Sequence, residues 1–232
     1  MNKITIFDCP SEMNKAVIEF IDNLLQTKES ISISLSGGTT PKALFDDWAT
    51  LKQSSDYWKK INLFWSDERC VPPDDAMSNY GMTKMHLLNK VPIPETNVFR
   101  IFGEANPETE AERYSQLIDM KATPFDLILL GLGDDGHTVS IFPPTINLWE
   151  SEQTCIVNSH PESGMQRVTI TGKVINGASH VMFLVTGRSK AKKASDILLH
   201  GKHVTDIYPA ARVNPTSGSL FWFLDKEAAT LL

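Results

Sequence analysis

Apolar positions along this chain switch repeatedly between two periods. Met13, Val17, Phe20, Ile21, Leu24 and Leu25 recur at the spacing of one helix face, whereas Ile31-Ser-Ile-Ser-Leu35 alternates with the two-residue period of a strand. Strands are expected at Ile4 to Phe7, Ile31 to Leu35, Ile61 to Trp65 and Phe125 to Leu130. Helices are expected over Met13 to Leu25, Pro41 to Leu51, Asn79 to Leu88 and Pro107 to Met120. The last third continues with strands near Thr154 to Asn158 and Arg167 to Thr171, a helix near Lys173 to Ala178, strand Val181 to Val185, helix Lys190 to Leu199 and strand Ser219 to Phe223. No repeat, low-complexity tract or linker interrupts the alternation. The pattern predicts an α/β fold over residues 1–232: one domain with a doubly wound, mainly parallel sheet and helices on both faces.

The stretch from Phe125 to Pro143 is the densest in chemistry. A purely apolar strand runs into Gly131-Leu-Gly-Asp-Asp-Gly-His137, beyond the carboxyl end of a buried strand, where open α/β sheets place their ligands. Gly131, Gly133 and Gly136 also satisfy G-x-G-x-x-G, the spacing of a dinucleotide loop. Two features oppose that reading. Asp134 and Asp135 would set two negative charges against a pyrophosphate, and Phe142-Pro143-Pro144 cuts short the helix expected after Gly136. His137 stands out among the six histidines: histidine titrates near ~6.5 in water, which suits a general base or acid. Its other reading is a cap for that short helix. His86, His160, His180, His200 and His203 show no carboxylate pattern around them and read as structural or exposed.

A second glycine turn, Ser36-Gly-Gly-Thr-Thr-Pro41, follows an earlier strand. Thr40 reads as an N-cap and Pro41 as the first helical residue, so free N–H groups would face the turn and favour an anion. It lacks the Gly-Lys-Ser/Thr of a nucleotide P-loop, and it would serve equally as a well-capped strand-to-helix connection. Lys190 begins a helix, where the macrodipole disfavours a cation unless an anion joins it; an ordinary solvated lysine is the alternative. Arg167 opens a strand. Asp67, Glu68 and Arg69 follow the strand ending at Trp65, either as a solvated loop or as part of the crevice that holds His137. Cys70 has no base dedicated to it and reads as a bystander.

Composition narrows the partners. The chain is 41% hydrophobic and 22% charged, with a net charge of -6, which disfavours nucleic acid or an anionic membrane as the main partner. Three scattered cysteines form neither a zinc pattern nor a disulfide framework and suit a reducing compartment. The N-terminal residues lack the apolar segment of a signal peptide, and no run approaches ~18 apolar residues. A cytoplasmic protein, monomeric or weakly homo-oligomeric, is expected.

Several separated blocks, in order and over nearly the whole length, resemble the 6-phosphogluconolactonases, within the wider group that contains glucosamine-6-phosphate deaminases. They are Ser36-Gly-Gly-Thr-Thr-Pro41, Trp65-Ser-Asp-Glu-Arg-Cys-Val-Pro72, Ser78-Asn-Tyr80, Gly131 to Thr138 with Ser140 and Phe142-Pro143, Arg167-Val-Thr169, Val185-Thr-Gly187 with Lys190, and Pro209-Ala-Ala211 with Trp222 and Leu224-Asp225. The resemblance implies a Rossmann-like sheet and hydrolysis of 6-phospho-D-glucono-1,5-lactone in the oxidative pentose phosphate pathway, with no cofactor and no metal. It implies His137 as general base, Asp135 and Asp67 as groups that orient the imidazole or the water, and N–H groups around Gly133 to Gly136 as an oxyanion site. The phosphate would meet Gly37, Gly38, Thr39, Arg167 and Lys190, with Arg69 nearby. Ile141-Phe142-Pro143 stands where the deaminases carry Asn-Glu-Pro, and Arg69 replaces the aromatic residue of their Asp-Glu-Tyr, which favours the lactonase branch. Val139 and Ile141 replace a usual alanine and leucine. A deaminase, a non-catalytic sugar-phosphate sensor and an NAD(P) oxidoreductase remain the alternatives.

Overall fold

The computed structural model describes residues 3–232, so the first two residues of the expected domain lie outside the described residues. In chain order the elements are β1 (Lys3–Phe7), α1 (Pro10–Thr27), β2 (Ile31–Leu35), α2 (Thr39–Leu51), α3 (Ser55–Trp58), β3 (Ile61–Trp65), β4 (Asp67–Arg69), α4 (Asn79–His86), β5 (Val98–Phe99), α5 (Pro107–Lys121), β6 (Leu127–Leu130), β7 (Cys155–Ser159), β8 (Gln166–Ile170), α6 (Gly172–Gly177), β9 (His180–Val185), α7 (Ala191–His200) and β10 (Ser219–Asp225).

Seven strands form a parallel sheet in the order β1-β10-β9-β6-β2-β3-β5. Right-handed crossovers put α1, α2 and α4 on one face and α5, α6 and α7 on the other. The packing of α1 on α2 and of α2 on α4 agrees. With both faces covered, the central strands β2 and β6 bury every residue: Ile33 and Leu35 pack in the core, and Ser34, on the other pleat, bonds Ser66 Oγ at 2.8 Å. The chain order reverses direction between β6 and β2, which makes their carboxyl ends the switch point of the sheet, the place where such folds bind ligands.

The structure corrects the expected sheet in the region beside the site. The strands predicted near Thr154 and Arg167 do not extend the main sheet; as β7 and β8 they form a separate antiparallel sheet with β4, in the order β4-β8-β7. Asp67, Glu68 and Arg69 are therefore strand rather than solvated loop. The chain leaves the main sheet at Ser66, whose N–H bonds Leu35 O and whose carbonyl accepts from Ile170 N. Tyr114, on α5, supplies the missing partner at that departure: its hydroxyl accepts from Trp65 N–H at 2.8 Å. No helix follows Gly136; the chain turns through Thr138 to Ile141, and a 3-10 stretch begins at Pro143. His137 therefore caps nothing. Helix α2 begins at Thr39 with Gly38 as N-cap, at φ 111°, rather than with Thr40.

Candidate active site

Four adjacent parallel strands deliver the chemistry of one cleft from their carboxyl ends. β2 leads to Ser36-Gly37-Gly38, β3 to Asp67 and Arg69, β6 to Gly131–His137, and β9 to Gly187 and Lys190. The cleft has a volume of about 240 Å³, and its lining also includes Asn79, Val139 and Arg167. Ser36 Oγ donates to Leu129 O at 2.8 Å, stitching the end of β2 to β6, and the hydroxyls of Thr40 and Thr186 meet at 2.6 Å across the two glycine turns. A larger groove of about 530 Å³ beside Arg100 and Phe102 holds no histidine or paired carboxylate.

His137 is held by its own loop. Its ring Nδ1 lies 2.5 Å from Asp135 Oδ1, and its backbone N–H donates to the same oxygen at 3.0 Å. Burial raises the Asp135 pKa, but the His137 hydrogen bond and charge outweigh it and hold the carboxyl down at about 2. An ionised partner on Nδ1 holds a proton there and leaves the other ring nitrogen, turned away from Asp135, as the acceptor. Gly133 is required by closeness: a Cβ there would lie 2.1 Å from His137 Nδ1 and 2.7 Å from Asp135 Oδ1. Gly136 is required by φ 89° and by the Tyr208 ring, which a Cβ would strike at 2.4 Å. Two of the expected oxyanion donors are already spent within the loop. Gly133 N–H bonds His137 O at 2.9 Å and Gly136 N–H bonds Gly133 O at 3.1 Å.

The facing wall is built from β4 and the start of α4. Asp67 is buried; its Oδ2 accepts from Ser140 Oγ at 2.6 Å and its Oδ1 from Asn79 Nδ2 at 3.3 Å. Ser140 in turn receives Arg167 Nη1 at 3.3 Å, and its carbonyl accepts from Asn158 Nδ2 at 2.8 Å. This pins the turn after His137, where Val139 sits at φ 50°, a strained conformation for a β-branched residue. Glu68 accepts from the N–H groups of Arg69, Asn79 and Tyr80 and from Ser78 Oγ. Burial raises its pKa against the pull of those hydrogen bonds.

Three cations converge. Arg69 and Arg167 stand directly opposite in the β4–β8 register, a like-charge pairing that strand pairs avoid unless an anion joins it. Arg167 is 7% exposed, and the Nε atoms of both arginines are buried without a hydrogen-bond partner among the described residues. Burial lowers the Arg167 pKa, with Asp67 opposing the shift, and the guanidinium lies over the Phe142 ring at 5.5 Å. Lys190 Nζ donates to Asp134 Oδ1 at 2.7 Å.

The structure thus brings His137, Asp67, Gly37, Gly38, Arg69, Arg167 and Lys190 to one cleft, with Asp135 behind the imidazole. Thr39 is exposed and is not among the lining residues. Sequence reasoning gave no role to Asn79, Ser140 or Asn158; Ser78 at a helix start was the one local signal, and it caps α4 by accepting from Gly81 N–H. Cys70 is half-buried with its thiol pushed up to about 11, chiefly by burial, which leaves little thiolate. His86 was expected to lack a carboxylate, yet its Nδ1 lies 3.0 Å from both oxygens of Asp46, far along the chain.

The chain is similar to known proteins over most of its length. The family model described as glucosamine-6-phosphate isomerases/6-phosphogluconolactonase matches residues 8–222. The 6-phosphogluconolactonase of Treponema pallidum is 43% identical over 201 residues, covering 82% of this chain and 83% of that one. That of Haemophilus influenzae is 37% identical over 235 residues, covering 100% of both. Among solved structures, the crystal structure of devB protein superposes with a TM-score of 0.92 at 40% identity, covering 99% of each chain.

Proposed function

The chain belongs to the glucosamine-6-phosphate isomerase/6-phosphogluconolactonase family, and within it we propose that this cleft hydrolyses 6-phospho-D-glucono-1,5-lactone to 6-phospho-D-gluconate with His137 as general base. The single observation that carries the role is the His137–Asp135 pair, 2.5 Å apart, at the switch point of the sheet and opposite a cluster of cations. The ring nitrogen that does not face Asp135 takes a proton from water as the water attacks C1, and returns it to the ring oxygen as the ester bond opens. Asp135 stabilises the imidazolium formed between those steps. Asp67 is committed to Ser140 and Asn79, so its part is to fix the turn that carries His137. Arg69, Arg167 and Lys190, with Gly37 and Gly38 at the start of α2, hold the 6-phosphate and orient the lactone. Thr39 contributes through its backbone N–H.

A cleft of about 240 Å³ is on the scale of one sugar phosphate rather than a dinucleotide. The reaction, so read, uses no cofactor or metal, and a cytoplasmic setting fits the scattered unpaired cysteines. Residues 1–232 act as a single domain. Phe142 argues against the deaminase reading: the position where a deaminase would carry a glutamate holds a buried ring, 4.9 Å from His137 and 5.1 Å from His160 between centroids. The test is acid release from freshly prepared 6-phosphogluconolactone, measured above its spontaneous hydrolysis, beside ammonia release from glucosamine 6-phosphate. Acid release alone is expected; ammonia release alone would overturn the reading.

A further inference from the structure

Asp134 is the group the cleft's chemistry leaves unexplained: a carboxylate beside a site for a dianion. We propose that Asp134 sets the affinity for the phosphorylated substrate by holding the Lys190 ammonium, so that a phosphate must displace it. The inference rests on Lys190 being a phosphate ligand.

Lys190 is the N-cap of α7, where the helix macrodipole disfavours a cation and an anion offsets the cost. Asp134 Oδ1, 2.7 Å from Nζ, supplies that anion from within the chain. The other acidic groups nearby are committed elsewhere: Asp135 to His137, Asp67 to Ser140 and Asn79, and Glu68 to three N–H groups and Ser78. Asp134 alone is bound only through the cation, among the described residues, and its side chain is 75% exposed. An exposed ion pair of this kind is weakly held, so a dianion that also meets Arg69 and Arg167 displaces it. The freed carboxylate stays on the cleft wall and repels the ligand. Hydrolysis turns the lactone into a product with one more carboxylate, so the same repulsion acts more strongly on product than on substrate.

KM for 6-phosphogluconolactone and for unphosphorylated glucono-1,5-lactone, with the inhibition constant of 6-phosphogluconate, should be measured in the parent, Asp134→Asn, Asp134→Glu, Lys190→Gln and the Asp134→Asn/Lys190→Gln pair. Asp134→Asn is expected to lower KM for the phosphorylated lactone by about three- to tenfold, and the product's inhibition constant by at least as much. KM for the unphosphorylated lactone should hold within about twofold, Asp134→Glu should resemble the parent, and most of the gain should vanish in the Lys190→Gln background. An unchanged or raised KM in Asp134→Asn, or an equal gain with Lys190 absent, overturns the inference. Lys190→Gln with the parent's full preference for the phosphorylated lactone would instead overturn the assignment of Lys190 to phosphate.

Discussion

Two pairs of adjacent carboxylates, each with one member lining the cleft, Asp67 in one and Asp134 in the other, differ in what surrounds them. Asp67 and Glu68, on β4, are 5% and 2% exposed and are held by serine, asparagine and backbone donors, with Arg167 Nη1 a further 3.9 Å from Asp67 Oδ2. Asp134 and Asp135, on the glycine loop after β6, have side chains 75% and 44% exposed, and each has an ionisable side-chain partner, Lys190 or His137. The first pair shapes the wall: it ties β4 to α4 and to the turn of Val139 and Ser140. On the proposed reading, the second pair exchanges partners with a ligand or a proton. Buried, fully bonded charges confer rigidity, whereas half-exposed charges paired to a base or a cation confer chemistry.

His137→Ala strikes the exposed wall and is expected to lower kcat by about 10²–10⁴-fold, with a fall in melting temperature smaller than that of the buried wall because its pair with Asp135 is half-exposed, checked by initial rates and thermal unfolding. Glu68→Gln strikes the buried wall. It turns one acceptor toward its donors as an NH₂ group and should cost about 3 kcal/mol, a fall in melting temperature of roughly 6–12 °C, while turnover below the transition changes far less. Equal losses of turnover in the two variants would break the division between the walls.

Acid titration sharpens it. The Asp135 carboxyl, held at about 2, keeps the His137 pair intact well below the ordinary carboxylate range. A depressed native pKa gives stability that is fully present above the unfolded value of ~3.9 and is lost as pH falls through about 2. A carboxyl-detected NMR titration should place the Asp135 midpoint near 2 in the parent and closer to ~3.9 in His137→Ala. A parent midpoint near 4 would contradict the pair. The smallest effect is expected for Thr39→Ala, whose exposed side chain lies outside the cleft lining and whose loss should change KM by less than about twofold.

Much of this was legible in the chain because it depends on local pattern. The alternating run located β2, short apolar runs located β3 and β9, and the glycine, carboxylate and histidine string located a loop that lines the cleft, since a strand ending in glycine places its following loop at its carboxyl end. Pairing across distance was not legible. Nothing in Ser66-Asp-Glu-Arg69 announces a strand that leaves one sheet for another, because the donors that make Glu68 burial tolerable come from Ser78 to Tyr80 and from Arg69 itself. The opposition of Arg69 and Arg167 is likewise a matter of register between segments about a hundred residues apart in sequence. The helix expected after Gly136 failed for a local reason: Val139 at φ 50° and the bond from Ile141 N–H to Thr138 O close a turn instead.

Chemical rescue of His137→Ala by free imidazole tests the central claim most directly. His137 lines the cleft and is 27% exposed at its side chain, so its removal leaves a site that small bases reach from solvent. In a variant that is folded at the assay temperature, hydrolysis of 6-phosphogluconolactone above the spontaneous rate should rise in proportion to the concentration of neutral imidazole, as expected when the lost group was a base acting on water. Near-normal turnover without imidazole, or a folded variant that imidazole leaves inert, would contradict the account.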